Sequence, residues 1–313
     1  MEIKKSDLES VLKKIQPHIH RTPVLSSSLI NDVVGANLWF KCENFQKMGA
    51  FKMRGALNAV LQLGEEQKKF GVATHSSGNF AQALALSAKM QNIKAYIVMP
   101  ENAPAVKKKA VKGYGGEIIE CEANLEARET TLRKVVAETG AKFLHPYNDY
   151  QVIEGQGTAT MELIEEHADL DYIVAPVGGG GLLSGTALAT HYLSPKTKVI
   201  AGEPMGADDA WQSMEKGEII PQTNPQTIAD GLLTSLGDKT FPIIRDYVKK
   251  IVRVEEDEIV AAMRLIWERL KIVVEPSSAV ALAAILKEKE KYQGKKVGII
   301  LSGGNVDLGN LPF

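Results

Sequence analysis

The chain has 313 residues, 44% hydrophobic and 24% charged, with 37 Lys plus Arg set against 38 Asp plus Glu for a formal charge of -1. That length predicts two domains or one large one, since domains commonly run to roughly 100–200 residues. The near-neutral balance removes the attraction that nucleic acid or an anionic membrane usually needs. Cys42 and Cys121, the two cysteines, offer neither a disulfide framework nor a zinc spacing. The opening MEIKKSDLESVLKKI lacks a signal-peptide core, and no apolar run reaches membrane-spanning length. The expectation is a cytoplasmic globular protein with no nucleic-acid or membrane partner.

In chain order, Ser6-x-x-Glu9 reads as a capping box opening a helix to about Ile15. Strand-like apolar runs follow at Leu38–Cys42, Val72–His75, Ala95–Met99, Glu117–Cys121 and Lys142–His145. Further ones lie at Tyr172–Val177, Lys198–Gly202 and Lys296–Leu301. Helical patterns fill most gaps, at Asn79–Met90, Asn124–Thr139, Val152–His167, Gly181–Leu193, Asp257–Lys271 and Ser277–Lys291. Strands alternating with helices predict an α/β fold with parallel sheets wound by right-handed crossovers. Residues 74–148 form a compact block, which predicts a small domain set into a large one made of 1–73 and 149–313. The Lys107–Lys109 run reads as a solvated helix face.

The most informative stretch is the strand Tyr172–Val177 followed by Gly178-Gly179-Gly180-Gly181 and a helix start. Four glycines leave backbone N–H groups uncovered, and the helix dipole adds positive potential, so the turn suits a phosphate. A ligand-free tight turn would need only one or two glycines. The lysine of a P-loop is missing after Gly181, and the third glycine of a dinucleotide fingerprint fails in every register. Glu203, about 22 residues on, imitates the ribose-binding acid of a dinucleotide fold, which keeps a nicotinamide dehydrogenase as an alternative.

Lys52 lies between Phe51 and Met53 at a helix start, where desolvation would favour the neutral amine that Schiff-base chemistry needs. The plainer reading is a lysine snorkelling past apolar neighbours. His75-Ser-Ser-Gly-Asn-Phe-Ala-Gln82 follows a strand and opens a helix, either as a carboxylate-binding turn or as an ordinary cap. Leu301-Ser302-Gly-Gly-Asn305 closes the last strand with another turn.

Together and in this order, GAFKMRGA around Lys52, SSGNFAQALAL from Ser76, PVGGGGLLSG from Pro176, GEPMGADD from Gly202, VVEPSSAVALAA from Val273 and LSGGNVDL from Leu301 resemble one family. It is the serine racemase and serine/threonine dehydratase family, enzymes of fold type II dependent on pyridoxal 5'-phosphate. The resemblance covers essentially the whole chain and implies a tryptophan-synthase-β-like fold, two parallel-sheet domains wrapped by helices, with 74–148 mobile. It implies that Lys52 carries the cofactor, that Gly178–Gly181 hold its phosphate, that Phe51 and Asn79 line its ring and that Ser302 bonds its pyridine nitrogen. Ser76, Ser77, Gly78, Asn79 and Phe80 would receive the substrate. Glu203, Ala207 (by its carbonyl) and Asp209 would hold Mg²⁺, Ca²⁺ or Mn²⁺, in keeping with the hard-oxygen set such ions prefer. The implied reaction is α,β-elimination of serine, threonine or 3-hydroxyaspartate to a 2-oxo acid and ammonia. Racemisation, with Lys52 and Ser77 as opposed bases, is the alternative, and a homodimer is implied.

Two departures matter. Ala50 stands where serine is common, and the GAF form looks more like the 3-hydroxyaspartate dehydratases of the family. Phe80 replaces a histidine in the turn, which either reshapes the pocket or only changes packing. Arg128 matches an arginine the family places near the site; it could read a second substrate carboxylate or be a solvated helical residue. The loop His145-Pro-Tyr-Asn-Asp149 adjoins the pocket in the family, without individual roles. Ending soon after the Ser302 loop, the chain is not expected to show feedback control by a further C-terminal segment.

Overall fold

A computed structural model describes residues 3–313. Among the described residues ten strands form two sheets: β1 (Val24–Leu25), β2 (Asn37–Cys42), β3 (Val72–His75), β4 (Ala95–Pro100), β5 (Glu117–Cys121), β6 (Lys142–Phe143), β7 (Tyr172–Pro176), β8 (Lys198–Pro204), β9 (Val248–Val254) and β10 (Lys296–Leu301). The larger sheet runs β1-β2-β10-β7-β8-β9 and the smaller β5-β4-β3-β6. All pairings are parallel except β1 with β2. β10 lies between β2 and β7, and five of its six residues are buried, as a strand covered on both faces requires.

The first helix differs from the expected cap. It spans Lys5–Ile15, and the Lys4 amide donates to Asp7 Oδ2 at 2.8 Å, so Ser6 and Glu9 are not its capping pair. β1 and β9 carried no predicted strand, and β6 stops at Phe143, two residues short of the expected run. The Lys107–Lys109 run does lie on a helix, Ala105–Gly113, but Lys107 and Lys108 are paired, to Asp230 at 2.5 Å and Glu120 at 2.7 Å.

Parallel sheets place their loops of chemistry at the carboxyl ends of strands. Here the neighbours β2, β10 and β7 deliver, side by side, the Lys52 segment, Ser302 and the four-glycine turn. β3 of the smaller sheet delivers Ser76–Asn79.

Helices behind these loops are locked by glycine. The helix Tyr150–Glu166 lies between Lys52–Leu61 and Gly181–Leu193. A methyl on Gly155 would fall 2.5 Å from Gly55 Cα, and one on Gly185 would fall 2.5 Å from Gly157 N. Beneath Lys52, Arg54 makes paired bonds to Glu43 (2.7 and 2.9 Å) and to Glu162 (2.9 and 2.8 Å), while Lys41 Nζ lies 2.8 Å from Glu162. All four side chains are buried. Burial alone would raise the Glu162 carboxyl, but its bonds to Arg54 and Lys41 outweigh that and hold it below the usual range. Two cations against two anions leave no net buried charge, the condition under which such a cluster is tolerated.

Candidate active site

The Phe51 amide donates to the Ser302 carbonyl at 3.0 Å, and Ala50 forms an isolated bridge with Gly303. These bonds fix the lysine segment against the last strand's turn. The part-buried Lys52 Nζ donates to the Pro146 carbonyl at 3.0 Å and stands 5.1 and 5.9 Å from the ring centres of Phe51 and Phe80. Burial pushes its amine down to about 8, against the opposing pull of the Glu275 carboxylate. A nucleophilic amine requires this environment.

Asn79 bridges the two sheets. Its Oδ1 accepts from Asn305 Nδ2 at 2.8 Å, and its Nδ2 donates to Glu275. The helix Asn79–Met90 has no side-chain cap at Gly78, so its first N–H groups face the turn, and a methyl on Gly78 would meet nothing within 4 Å. Space and uncapped donors together suit a carboxylate. Phe80 is buried against Lys52, so the ring is both packing and wall.

Gly178–Gly181 are enclosed from behind. A methyl on Gly178 would lie 2.8 Å from Leu232 Cα and one on Gly181 2.9 Å from Tyr147 Cβ, and Gly180 adopts φ +88°. The helix beginning at Gly181 carries no side-chain cap. An uncapped helix start behind a side-chain-free turn fits a phosphate group. Thr240 Oγ1 donates to the Gly179 carbonyl at 2.9 Å and ties the turn to the 237–240 segment.

Glu203 is the penultimate residue of β8, with Oε1 and Oε2 accepting from the Ala210 and Trp211 amides at 2.8 Å each. Asp209 Oδ2 accepts from the Leu236 amide at 3.3 Å, while its buried Oδ1 has no partner. Burial, then the neighbouring Asp209, raises Glu203 well above the usual carboxylate range; burial raises Asp209 to about 7. Among the described residues neither forms an ion pair. Two buried acids, an orphaned oxygen and the adjacent buried Ala207 fit a hard divalent cation.

Arg128 lies on the helix Leu125–Thr139, its buried Nε without a partner among the described residues, and its charge is felt at His75, next to the Ser76–Ser77 turn. Three groups had no assigned role in the sequence. Glu275 is 3% exposed; burial and then Asp230 raise it to about 7. Its position before Pro276 reads as a helix cap, yet its carboxylate turns to Asn79 and Asn305 instead. His145 accepts from the Tyr147 and Asn148 amides at Nδ1 (3.3 and 3.0 Å), and burial, with His75 and Lys52 nearby, lowers it to about 4. Tyr147 packs on the glycine turn.

Among the described residues no helix is long and apolar enough to cross a membrane. A family model described as "Pyridoxal-phosphate dependent enzyme" matches residues 15–303. The chain is 53% identical to the serine racemase of Dictyostelium discoideum, covering 97% of this chain and 95% of that protein. It is 52% identical to the beta-hydroxyaspartate dehydratase of Paracoccus denitrificans, covering 98% of each. The solved structure of maize serine racemase superimposes with a TM-score of 0.95 at 49% identity, covering 97% of this chain and 94% of that one. The nicotinamide alternative falls with these matches. With its glycine turn, desolvated lysine and fold all in agreement, the chain belongs to the pyridoxal-phosphate dependent enzyme family.

Proposed function

We propose that this enzyme is an ammonia-lyase that removes water from a β-hydroxy amino acid, giving a 2-oxo acid and ammonia. The observation that carries the reading is Lys52: a desolvated amine close to the rings of Phe51 and of Phe80, the latter in the first turn of the helix that begins at Asn79 without a side-chain cap. Lys52 would hold the cofactor, Gly178–Gly181 its phosphate, Phe51 and Asn79 its ring, and Ser302 its nitrogen. When bound, the cofactor supplies an electron sink that acidifies the substrate's Cα–H. Ser76, Ser77, Gly78 and Asn79 then bind and orient the substrate carboxylate. The Lys52 amine takes the Cα proton, and the β-hydroxyl leaves with a proton as water. Phe51 and Phe80 shield the amine from solvent, which favours its neutral form.

The substrate class is narrowed by Arg128. Its unpartnered Nε near the turn supports a second carboxylate, so 3-hydroxyaspartate is favoured over serine and threonine. Racemisation, with Lys52 and Ser77 as opposed bases, is the second reading, supported by likeness to serine racemases. Glu203, Ala207 and Asp209 would hold Mg²⁺ as a structural ion. Segment 74–148 would be the mobile domain. A cytoplasmic homodimer completes the proposal, with Leu29 and Val33, both exposed on the helix Ser28–Val34, as apolar contact.

The test incubates both serine enantiomers, threonine and the 3-hydroxyaspartate isomers with enzyme, cofactor and Mg²⁺, following 2-oxo acid and chirality together. Oxo acid from at least one substrate is expected. Enantiomer exchange without oxo acid would replace the lyase by the racemase, and neither product would overturn both.

A further inference from the structure

Four successive glycines give the turn before Gly181 more freedom than any other stretch of the chain, so something outside the run must hold it in one shape. Two neighbours do so. One is Thr240, bonded to the Gly179 carbonyl. The other is Tyr147, whose ring lies flat enough on Gly179 that a methyl there would come within 2.5 Å of Cδ1, and whose Cβ and Cα back Gly181.

Tyr147 is itself held on every side. Its amide donates to His145 Nδ1 at 3.3 Å, and its ring meets the His145 ring edge-on at 4.5 Å. Its hydroxyl is within bonding reach of Thr234. The next residue fastens the backbone: Asn148 Nδ2 donates to Asp238 at 2.6 Å, and Asn148 Oδ1 accepts from the Lys239 amide at 2.9 Å. The preceding residue, Pro146, accepts from Lys52. Three consecutive residues thus touch the lysine, the glycine turn and the segment that braces it.

We propose that Tyr147 is a positioning residue that preorganises the glycine turn for the cofactor's phosphate. The assignment rests on the reading of Gly178–Gly181 as the phosphate site. A turn already in its binding shape loses little freedom when the anion arrives, whereas an unbraced run of glycines loses much. The effect is confined to the phosphate, because the ring touches the turn and leaves Lys52 to Pro146.

The experiment compares binding of pyridoxal phosphate with that of pyridoxal, which offers the same aldehyde to Lys52 without a phosphate. In the unaltered apoenzyme pyridoxal phosphate should bind far more tightly; equal affinities would sink the phosphate reading itself. Tyr147→Ala should weaken pyridoxal phosphate at least tenfold and move pyridoxal less than twofold. Tyr147→Phe keeps the ring and should stay within threefold for both. If Tyr147→Ala does not fold, Tyr147→Leu fills the space without a flat face and carries the same expectation. Unchanged affinity for pyridoxal phosphate, or equal weakening of both ligands, would overturn the role of Tyr147 alone.

Discussion

The side-chain amide of Asn79 donates to both carboxylate oxygens of Glu275, at 2.9 and 3.2 Å. Glu275 in turn favours the charged form of Lys52, opposing the burial that lowers that amine to about 8. One buried acid therefore bears on both the orientation of the Asn79 amide and the protonation of Lys52.

This relationship has a pH signature. Only the neutral amine captures an aldehyde, so capture of cofactor by the apoenzyme should rise about tenfold per pH unit below about 8 and level off above it. A carboxylate near an amine stabilises the ammonium. Removing that charge by Glu275→Gln should move the inflection downward. Stopped-flow capture rates between pH 6 and pH 10, taken on about ten buffers, measure it. An inflection at or above the unaltered value would mean that Glu275 does not act on Lys52.

The pair of buried acids, Glu203 on β8 and Asp209 at the start of the helix Asp209–Lys216, predicts dependence on a divalent cation. Saturating Mg²⁺, at about 100 times its Kd, should stabilise the fold by about 2.7 kcal/mol. Chelation should lower Tm, and Glu203→Ala should abolish the difference. Trp211 reports the same event: its amide bonds Glu203, and its ring lies 3.5 Å from the Arg253 guanidinium. Its fluorescence should therefore change on Mg²⁺ addition in the unaltered protein and not in Glu203→Ala.

Arg128 should act on specificity. A charge-assisted bond to a second carboxylate contributes roughly 1.5–3 kcal/mol. Arg128→Ala should therefore lower kcat/KM for 3-hydroxyaspartate roughly 10- to 100-fold, and that for serine less than threefold. Equal losses on both substrates would assign Arg128 to the fold.

The buried cluster beneath the lysine should be unforgiving. Glu162→Gln leaves Arg54 and Lys41 facing the single carboxylate of Glu43, an unbalanced buried charge. The expected loss is about 3–5 kcal/mol, read as a lower urea midpoint.

Much of this was legible in the chain because it is local. The four-glycine turn, the apolar setting of Lys52 and the alternation of strand and helix all lie within short windows. β9 was not legible: Lys249, Lys250 and Arg253 interrupt its apolar pattern, and it follows the helix Thr240–Tyr247 with no intervening turn. Its place at the sheet's edge explains the charges, since an edge strand exposes one side. The Ser6 cap failed because acidic and hydroxyl residues near a helix start offer several registers, and Asp7 takes the bond. Glu275 and Tyr147 were missed for another reason. Their partners, Asn79 and the glycine turn, are far away in sequence, and only the folded chain brings them together.

The helix Tyr150–Glu166 touches the lysine's helix through Gly155 and the glycine turn's helix through Gly157, backbone against backbone. The Gln156 side chain joins the first contact, its Oε1 accepting from the Gly55 amide at 3.1 Å, whereas the second is made by backbone atoms. These contacts hold the helices that begin at Lys52 and at Gly181 at a spacing set by the width of one helix. If Lys52 takes the aldehyde and Gly178–Gly181 the phosphate, as proposed, the protein would work as a gauge, and a cofactor analogue longer by a single methylene should bind more weakly.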